Sequence, residues 1–546
     1  MKTSAVIFAV ISVMSLGWAG GCTMGPKYER PKVEAPKSFG ELPKSTNDQP
    51  SPAVQNEPIA TWWRSFGDPE LDRLIAEALK TNYNILIAAS RVREARFQRS
   101  IIAADLFPNV DADGGYMLAR GSKNVTVPLG SAGGGGGGSS GGASGTSPGK
   151  SARAKMAANA DPPGQGGGGG SGGASSAASS SQAGASPFEN QVSPFGKGGL
   201  PGATTSLYQV GFDSTWELDV FGGTRKRLEA AAYDISAAVE GLHDVRVSLI
   251  SELARDYLEL RGTQERLAVA RQNLSAQNET LRLTQSMMKS GLRSKLDATR
   301  AAAEAATIAA TIPPLEANVR QMIHEISILV SRDPTALSEE LAVEKPLPPI
   351  PPEVPVGLPS ALIRRRPDIR RSERQIASAT ALIGSAKADL FPKFGLTTSV
   401  GLDSTAAHTL FQGQSGYFLA SPTVVWRVFD AGRILSNIRL QQANQQEDIY
   451  QYRNAILVAL KEVEDALAAY GAEQSRRLSL AEAFKQDQEA LRIATDQYKR
   501  GLISYLEVLD AQRSLFSAKS ELAQSDQSVA VDVVSLYKAL GGGWNE

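Results

Sequence analysis

The longest segment that predicts a helix has apolar residues at spacings of three and four. Residues 433–498 are mostly good helix formers, and no proline interrupts them. Within this segment Ile456, Val463 and Leu467 fall on one stripe. At 1.5 Å per residue the helix is roughly 100 Å long. A helix of that length needs partner helices alongside it, as in a coiled coil or a helical tube.

Four other segments have a period of two, which predicts strands with one apolar and one polar face. Residues 207–218 (LYQVGFDSTWEL) and 394–403 (FGLTTSVGLD) alternate clearly. Residues 109–118 and 417–429 alternate more loosely, and Pro422 is expected to disturb the ladder of the fourth strand. Each strand has about ten residues, the length of a membrane-spanning β-strand.

A β-structure in lipid must close on itself, because an edge strand leaves backbone groups without hydrogen bonds. Bacterial outer-membrane barrels have at least eight strands, whereas this chain offers four. Two chains would supply eight strands and three would supply twelve. The alternative is a small soluble sheet with a polar outer face.

Three pairs of motifs recur in the same order and predict an internal duplication. An alanine-rich helical stretch precedes each copy of the first pair. The pairs are AADLFPNVDADGGY (103–116) with KADLFPKFGLTTSVG (387–401), WELDVFGGTR (216–225) with WRVFDAGR (426–433), and MMKSGLRSKLDATR (287–300) with QYKRGLISYLEVLDAQR (497–513).

Two segments of biased composition separate these elements. Residues 121–205 are dominated by Gly, Ser and Ala, and such a composition predicts disorder because it cannot bury enough apolar surface. They lie between the first two strands, where a loop tolerates growth. The proline-rich residues 331–361 predict an extended linker between the two halves.

The N-terminus has the layout of a cleaved export signal. Lys2 precedes an apolar stretch that is too short for a membrane span, and small residues then lead to Cys22. This order resembles the processing site of bacterial lipoproteins, in which Cys22 would carry the lipid. Cys22 is the only cysteine, so an intramolecular disulfide and a multi-cysteine metal site are both excluded.

Charge and motif content argue against nucleic-acid binding and catalysis. The chain has 57 Lys and Arg against 57 Asp and Glu, so its formal net charge is zero and gives no case for a nucleic-acid partner. No nucleophile–base pair, phosphate loop or metal-ligand spacing is evident, and the glycine runs lack a strand–helix context. We therefore predict that the protein is not an enzyme and carries no cofactor.

Five motifs together resemble the outer-membrane channel subunits of tripartite efflux pumps, the TolC/OprM-like family, and specifically its lipoprotein branch. The resemblance covers nearly the whole chain except the Gly/Ser-rich insert. The motifs are GPKYERP (25–31), WWRSFGDPELDRLIAEALKTN (62–82), LIRRRPDIRRSERQIASATALIGSAKADLFP (362–392), YKRGLISYLEVLDAQRSLFSAKSELA (498–523) and LYKALGGGW (536–544).

The resemblance implies a mainly α-helical fold with a membrane β-barrel. Three identical chains would each give four strands to a twelve-stranded barrel and long antiparallel helices to a periplasmic α-barrel. The lipid-anchored trimer would lie in the outer membrane. A periplasmic adaptor and an inner-membrane proton-driven transporter would deliver drugs or other small solutes, which the channel conducts passively.

The resemblance also places functional residues at the periplasmic tip, where paired helices turn. The implied gate residues are Asp297, Tyr498, Leu506, Glu507 and Asp510. The implied adaptor contacts are the turns at Gly291 with Leu292 and Gly501 with Leu502. Without the resemblance, Asp297 and Asp510 would be interpreted as ordinary solvated helix residues.

The complete organisation that we predict runs as follows. The segments are a lipoprotein signal peptide (1–21), an extended N-terminal segment with the first helices (22–105), a first β-hairpin with its insert (106–220), a first long helical pair (221–330), the linker (331–361), a helix (362–390), a second β-hairpin (391–428), a second long helical pair (429–540) and a tail (541–546).

Other functions stay open. The same fold can serve metal-cation efflux or type I protein export, although no methionine-rich surface is evident and the lipoprotein layout disfavours protein export. A coiled-coil envelope scaffold without a pore is a third possibility, which the period-two strands oppose.

Overall fold

The computed structural model describes residues 23–32, 36, 38–41, 59–120, 204–291, 294–351 and 359–544. The predicted signal peptide, Cys22, Leu292 and nearly all of the Gly/Ser-rich insert lie outside the described residues. The chain divides into two compact units. One comprises Met1–Val110, Ser214–Thr398 and Ala420–Glu546, and the other comprises Asp111–Asp213 and Ser399–Leu419.

The first unit contains nine α-helices among its described residues, preceded by a 3₁₀ segment at Ile59–Phe66. The helices are α1 (Pro69–Thr81), α2 (Tyr83–Ala104), α3 (Gly223–Lys289), α4 (Lys295–Leu329), α5 (Ser338–Leu341), α6 (Pro359–Arg365), α7 (Pro367–Ala388), α8 (Arg433–Lys499) and α9 (Tyr505–Ala539). Among the described residues, none of these helices combines the length and the apolar character needed to cross a membrane.

Four strands form one sheet in the order β1-β2-β3-β4. They are β1 (Asn109–Arg120), β2 (Thr204–Leu218), β3 (Lys393–Ser404) and β4 (Gly416–Val425). Pro422 lies inside β4, which is an edge strand and therefore tolerates a residue without a backbone N–H. Each of the four segments with a period of two contributes one strand.

Some element boundaries differ from the predicted ones. Strand β2 begins at Thr204, so the insert ends before the predicted residue 205. The predicted linker contains the short helix α5, and α6 begins at Pro359 before the linker was expected to end. Helix α4 continues through Pro313 and Pro314, where local propensity alone favours a break.

The internal duplication extends to the lengths of the elements. Helices α3 and α8 each have 67 residues, α4 and α9 each have 35, and α2 and α7 each have 22. Each residue of α3 and α4 is therefore matched by the residue 210 positions later (433 minus 223). Each residue of α2 is matched by the residue 284 positions later (367 minus 83).

The repeat is also visible in side-chain contacts where strands meet helices. The indole N–H of Trp216 donates to the carbonyl of Leu106 (3.0 Å), and that of Trp426 donates to the carbonyl of Leu390 (3.1 Å). These contacts join each WELD-like or WRVF-like motif to an LFP motif. Duplicated motifs in the sequence thus have duplicated structural roles.

A large apolar core lies where α1, α3, α7, α8 and α9 meet. Trp62 stacks on Tyr537 with ring centroids 4.9 Å apart and an interplanar angle of 13°. Beside this core Arg261, which has no exposed surface, binds Glu70 at 2.6 Å and the carbonyl of Val343 at 2.9 Å. Loss of Glu70 would leave the buried charge of Arg261 without its partner carboxylate, which is strongly destabilising.

Candidate functional site

In the middle of β2, apolar side chains are exposed and the polar side chain beside them is hidden. In β2, Val210 and Phe212 are 43% and 57% exposed, whereas Gln209 between its apolar neighbours is only 6% exposed. A soluble sheet with one solvated face shows the opposite pattern. The alternative of a soluble sheet with a polar outer face is therefore wrong.

Large apolar side chains are also exposed on β1, β3 and β4, and Ser399 of β3, beside the exposed Val400, is buried. An exposed apolar surface of this kind marks contact with a membrane or another protein. Its members in the second unit are Tyr116, Leu118, Val210, Phe212, Val400, Phe418 and Leu419.

The hidden face of the sheet has a polar network. The Gln209 amide donates to the Tyr417 hydroxyl at 3.0 Å, and the Ser399 hydroxyl donates to the same oxygen at 3.2 Å. Apolar side chains outside and polar side chains inside are the arrangement of strands that face lipid on one side and a wet lumen on the other.

The second candidate region is the tip, where the long helices end. Helix α3 ends at Lys289 and α8 at Lys499, and the turns that follow contain Gly291 (φ 74°) and Gly501 (φ 76°). Glycine adopts such positive φ angles without strain, which explains its presence in both turns. Leu502, in the second turn, is 70% exposed. Its counterpart Leu292 lies outside the described residues.

A small apolar cluster packs behind the tip, separate from the main core. Tyr498 and Tyr505 are both buried, with ring centroids 5.9 Å apart, and they pack with Ala301, Val508 and Leu509. The Tyr498 hydroxyl also contacts the sulfur of Met287 at 3.9 Å. Of the predicted gate residues, Tyr498 thus belongs to the packing of the tip.

The remaining predicted gate residues lie on the surface of the tip. Asp297 is half-buried in the first turn of α4, while Leu506 and Asp510 are exposed on α9. Within the described residues, no hydrogen bond or ion pair joins Asp297 to Asp510. Glu507 has a local role, because its carboxylate accepts from the backbone N–H of Ser504 (2.7 Å) in a capping box that begins α9.

Three further polar contacts tie the helix pairs together at the tip, and sequence reasoning missed them. The Gln277 amide donates to the hydroxyl of Tyr505 at 3.2 Å, and the Gln512 amide donates to the hydroxyl of Thr280 at 3.3 Å. Arg513 pairs with Glu304. The hydrogen bond to Glu304 raises the pKa of Arg513 above its usual range.

These ties were missed because each joins helices that are distant in sequence. Gln277 and Thr280 belong to no motif, and Glu304 lies in an alanine-rich stretch without a distinguishing pattern. Tyr505, Gln512 and Arg513 fall inside a duplicated motif (497–513), but their partners on α3 and α4 do not. In the described ranges, no three His, Cys, Asp or Glu side chains are grouped so that they could hold a metal ion.

Comparison with known proteins agrees with this geometry. The family model for outer membrane efflux proteins matches residues 150–326 and 358–542. The chain is 26% identical over 538 residues to the probable outer membrane lipoprotein SilC of Salmonella typhimurium, covering 98% of this chain and 99% of SilC.

The names of two further relatives indicate different cargoes. The toluene efflux pump outer membrane protein TtgC of Pseudomonas putida is 28% identical, covering 96% of this chain and 94% of TtgC. The cation efflux system protein CusC of Escherichia coli is 26% identical, covering 96% of each chain.

The solved structure of the outer-membrane channel OprN has the same fold. Its TM-score is 0.77 at 29% sequence identity, and the match covers 96% of this chain and all of OprN. The predicted resemblance, the fold class and the assignment as an outer-membrane efflux channel rather than an enzyme are confirmed. The sheet with its apolar outer face, the paired long helices and the matched residues all lead to one conclusion: this chain belongs to the outer membrane efflux protein family.

Proposed function

We propose that this protein is the exit duct of a tripartite efflux pump, through which small solutes pass from the periplasm to the exterior. The observation that carries the proposal is the sheet, whose outer face is apolar and whose hidden face is polar. Strands with these two faces separate lipid from water. The long helices would extend the duct into the periplasm.

The number of chains in the oligomer follows from the need to close the barrel. Strands β1 and β4 are the edges of the sheet, and lipid does not tolerate unpaired edges. Four strands are too few for a barrel, so several copies must share one. The family resemblance favours three copies and twelve strands over two copies and eight.

The tip would act as the gate. In a trimer, symmetry brings three copies of Asp297 and of Asp510 around one axis, together with Leu506 as an apolar constriction. Rings of carboxylates attract cations and repel one another unless they are paired. Tyr498 would hold the gate through the buried cluster behind it. Glu507 would add a third acid, since its cap leaves it at the surface.

The positions of the two helix turns and of Cys22 suggest where the protein would contact its partners and where a lipid would be attached. The turns at Gly291 with Leu292 and at Gly501 with Leu502 would receive the periplasmic adaptor, and the exposed side chain of Leu502 suits such a contact. The adaptor would connect the duct to a proton-driven transporter in the inner membrane. Cys22 would carry a lipid, in keeping with the lipoprotein name of SilC.

We propose small organic compounds as the cargo, in keeping with the name of TtgC. Metal cations are the second candidate, because CusC is named as a cation efflux protein and is nearly as similar. To separate the two cargoes, the protein is expressed in a strain that lacks its own channel. It is combined there with the adaptor and transporter of an organic-compound pump or with those of a metal-cation pump. Restored resistance to organic toxicants but not to toxic metal salts supports the first.

The gate is tested by replacing its carboxylates. We expect Asp510→Ala, alone or with Asp297→Ala, to raise the single-channel conductance of the purified trimer in planar bilayers. A matched control is Asp465→Ala, which removes an exposed carboxylate of α8 roughly 50 Å from the turn. Equal conductance of the gate variants, the control and the wild type would sink the assignment of the gate.

A further inference from the structure

Tyr417 of β4 lies across the hidden face of the sheet and reaches a strand with which β4 does not pair. The strand order is β1-β2-β3-β4, so β3 separates β4 from β2, and two strand spacings amount to about 10 Å. The Gln209 amide of β2 nevertheless donates to the Tyr417 hydroxyl at 3.0 Å. The Ser399 hydroxyl of β3 donates to the same oxygen at 3.2 Å. One side chain of β4 thus links three strands.

Two glycines make room for this side chain. A Cβ atom built on Gly401 of β3 would lie 2.9 Å from Cε1 of Tyr417 and 2.6 Å from the carbonyl oxygen of Val210. A Cβ atom built on Gly211 of β2 would lie 3.0 Å from the Tyr417 hydroxyl oxygen. Glycine weakens the interior of a strand and often marks a close approach by another group. The Tyr417 ring therefore lies over β3, with its edge at Gly401 and its hydroxyl at Gly211.

The two groups that donate to Tyr417 are closed off from solvent. Gln209 and Ser399 are each 6% exposed. A buried amide or hydroxyl that lacks an acceptor lowers the free energy of unfolding, because water satisfies it only in the unfolded chain. The Tyr417 hydroxyl gives both groups an acceptor, so its loss affects two strands besides its own.

This link crosses the boundary between the two halves of the duplication. Strands β1 and β2 belong to the first half, and their connection has 83 residues (204 minus 120 minus 1). Strands β3 and β4 belong to the second half, and their connection has 11 residues (416 minus 404 minus 1). A longer connection imposes a larger entropic cost on the pairing of the strands that it joins. Strand β2 therefore benefits from a contact outside its own hairpin.

We propose that Tyr417 is a clasp that joins the two duplicated hairpins, with Gly211 and Gly401 as its seat. Through Gln209 the clasp holds the first part of β2 against β3, directly after the long connection. This inference goes beyond the proposed function, because it depends on the sheet of one chain and not on the number of copies or on the cargo.

Hydrogen exchange of the full-length protein in detergent tests the clasp, because a substitution on β4 should loosen a strand of the other hairpin. Tyr417→Phe keeps the ring and removes the acceptor. We expect the backbone amides of β2 near Gln209 to exchange roughly fivefold faster or more. The matched control is Tyr116→Phe, which removes an exposed hydroxyl of β1 that lies 3.4 Å from Ser206. We expect this control to leave the exchange of β2 unchanged.

A double variant tests whether Tyr417 and Gln209 act together. Tyr417→Phe or Gln209→Met alone removes one partner of the hydrogen bond, and each is expected to lower the melting temperature by roughly 2–4 °C. The double variant replaces both partners by apolar groups of similar shape, so its loss should be smaller than the sum of the single losses. A loss equal to that sum would show that the two residues act independently, which would overturn the clasp.

Gly211→Ala tests the seat. The added methyl group meets the Tyr417 hydroxyl, so we expect it to accelerate exchange in β2 as Tyr417→Phe does. The matched control is Gly114→Ala on β1, whose Cβ atom would have its nearest neighbours at 3.9 Å. In the Tyr417→Phe protein, Gly211→Ala should add little, because the hydroxyl that it displaces is already absent. If it adds its full effect there, Gly211 is not a seat for Tyr417.

The outcomes separate this inference from the proposed function. Unchanged exchange in Tyr417→Phe, or faster exchange confined to β3 and β4, would overturn the clasp even when the wild type conducts current in planar bilayers. Conversely, a wild-type oligomer that passes no current would overturn the proposed function, while faster exchange in β2 would still support the clasp.

Discussion

Tyr505→Phe removes one hydroxyl from the buried cluster behind the tip and leaves its shape intact. The Tyr505 side chain is 1% exposed, and its hydroxyl accepts from the Gln277 amide, which is itself 2% exposed. Without this hydroxyl, the one acceptor left to the Gln277 N–H groups among the described residues is the carbonyl of Ala301, at 3.4 Å. Burial also raises the pKa of Tyr505, so the hydroxyl stays protonated at any physiological pH.

The expected magnitude follows from the loss of one partner in a buried hydrogen bond. Leaving one N–H of the buried Gln277 amide without a partner costs about 1–3 kcal/mol in the closed state, in which α3 and α9 are tied together. We expect the two helices to separate in an open tip, where water satisfies the amide. A difference of about 1.4 kcal/mol changes an equilibrium tenfold. We therefore expect Tyr505→Phe to raise the open occupancy about fivefold to a hundredfold.

The assay is single-channel recording of the purified variant in planar bilayers, with open probability as the readout. The matched control is Tyr470→Phe, which removes the hydroxyl of a half-buried tyrosine of α8 roughly 45 Å from the turn. If Tyr505→Phe and Tyr470→Phe both give the open probability of the wild type, the hydroxyl of Tyr505 does not contribute to closure and our reasoning about the tip is refuted.

Three further outcomes are expected. Burial raises the pKa of Asp532 from 3.8 to about 6, and the negative charge of Glu473 adds to the shift. The protonated carboxyl therefore contributes stability below about pH 4, and this contribution is lost as the pH rises through 6. After allowance for solvent screening, we expect Asp532→Asn to increase the free energy of unfolding at pH 8 by on the order of 1 kcal/mol. We expect no gain at pH 4, and an equal gain at both pH values in thermal unfolding would contradict this. Deletion of residues 121–203 is expected to leave the trimer intact on a native gel, because their composition cannot form a core. A Cys22→Ser protein exported with an ordinary cleavable signal should still form channels, and their absence from bilayers would show that the lipid is essential.

The pattern of apolar residues was sufficient to predict the strands and α8, one of the two longest helices. The alternation in residues 207–218 predicted β2, although alternation alone left open which face is solvated. Only the structure shows that Gln209 is hidden while Val210 is exposed. The equal lengths of the duplicated helices could not be predicted, since the adjacent Pro313 and Pro314 favour a break inside α4.

At the tip, sequence reasoning located the turns but not the contacts. Gly291 and Gly501 were predictable because a tight turn between helices favours residues that tolerate positive φ. The tie between Gln277 and Tyr505 spans 228 positions and depends on how two helices pack. The role of Glu507 in capping α9 is visible in the spacing Ser504–x–x–Glu507, which is the spacing of a capping box.

The central claim is that this chain forms a water-filled duct, and current through a planar bilayer tests it most directly. We expect the purified wild-type oligomer to insert and produce discrete conductance steps of uniform size. The steps should increase when the gate carboxylates are removed. The claim would be contradicted if the inserted oligomer passed no current. This result must hold for the wild type and for the double variant Asp297→Ala with Asp510→Ala, and insertion in the bilayer must be shown independently.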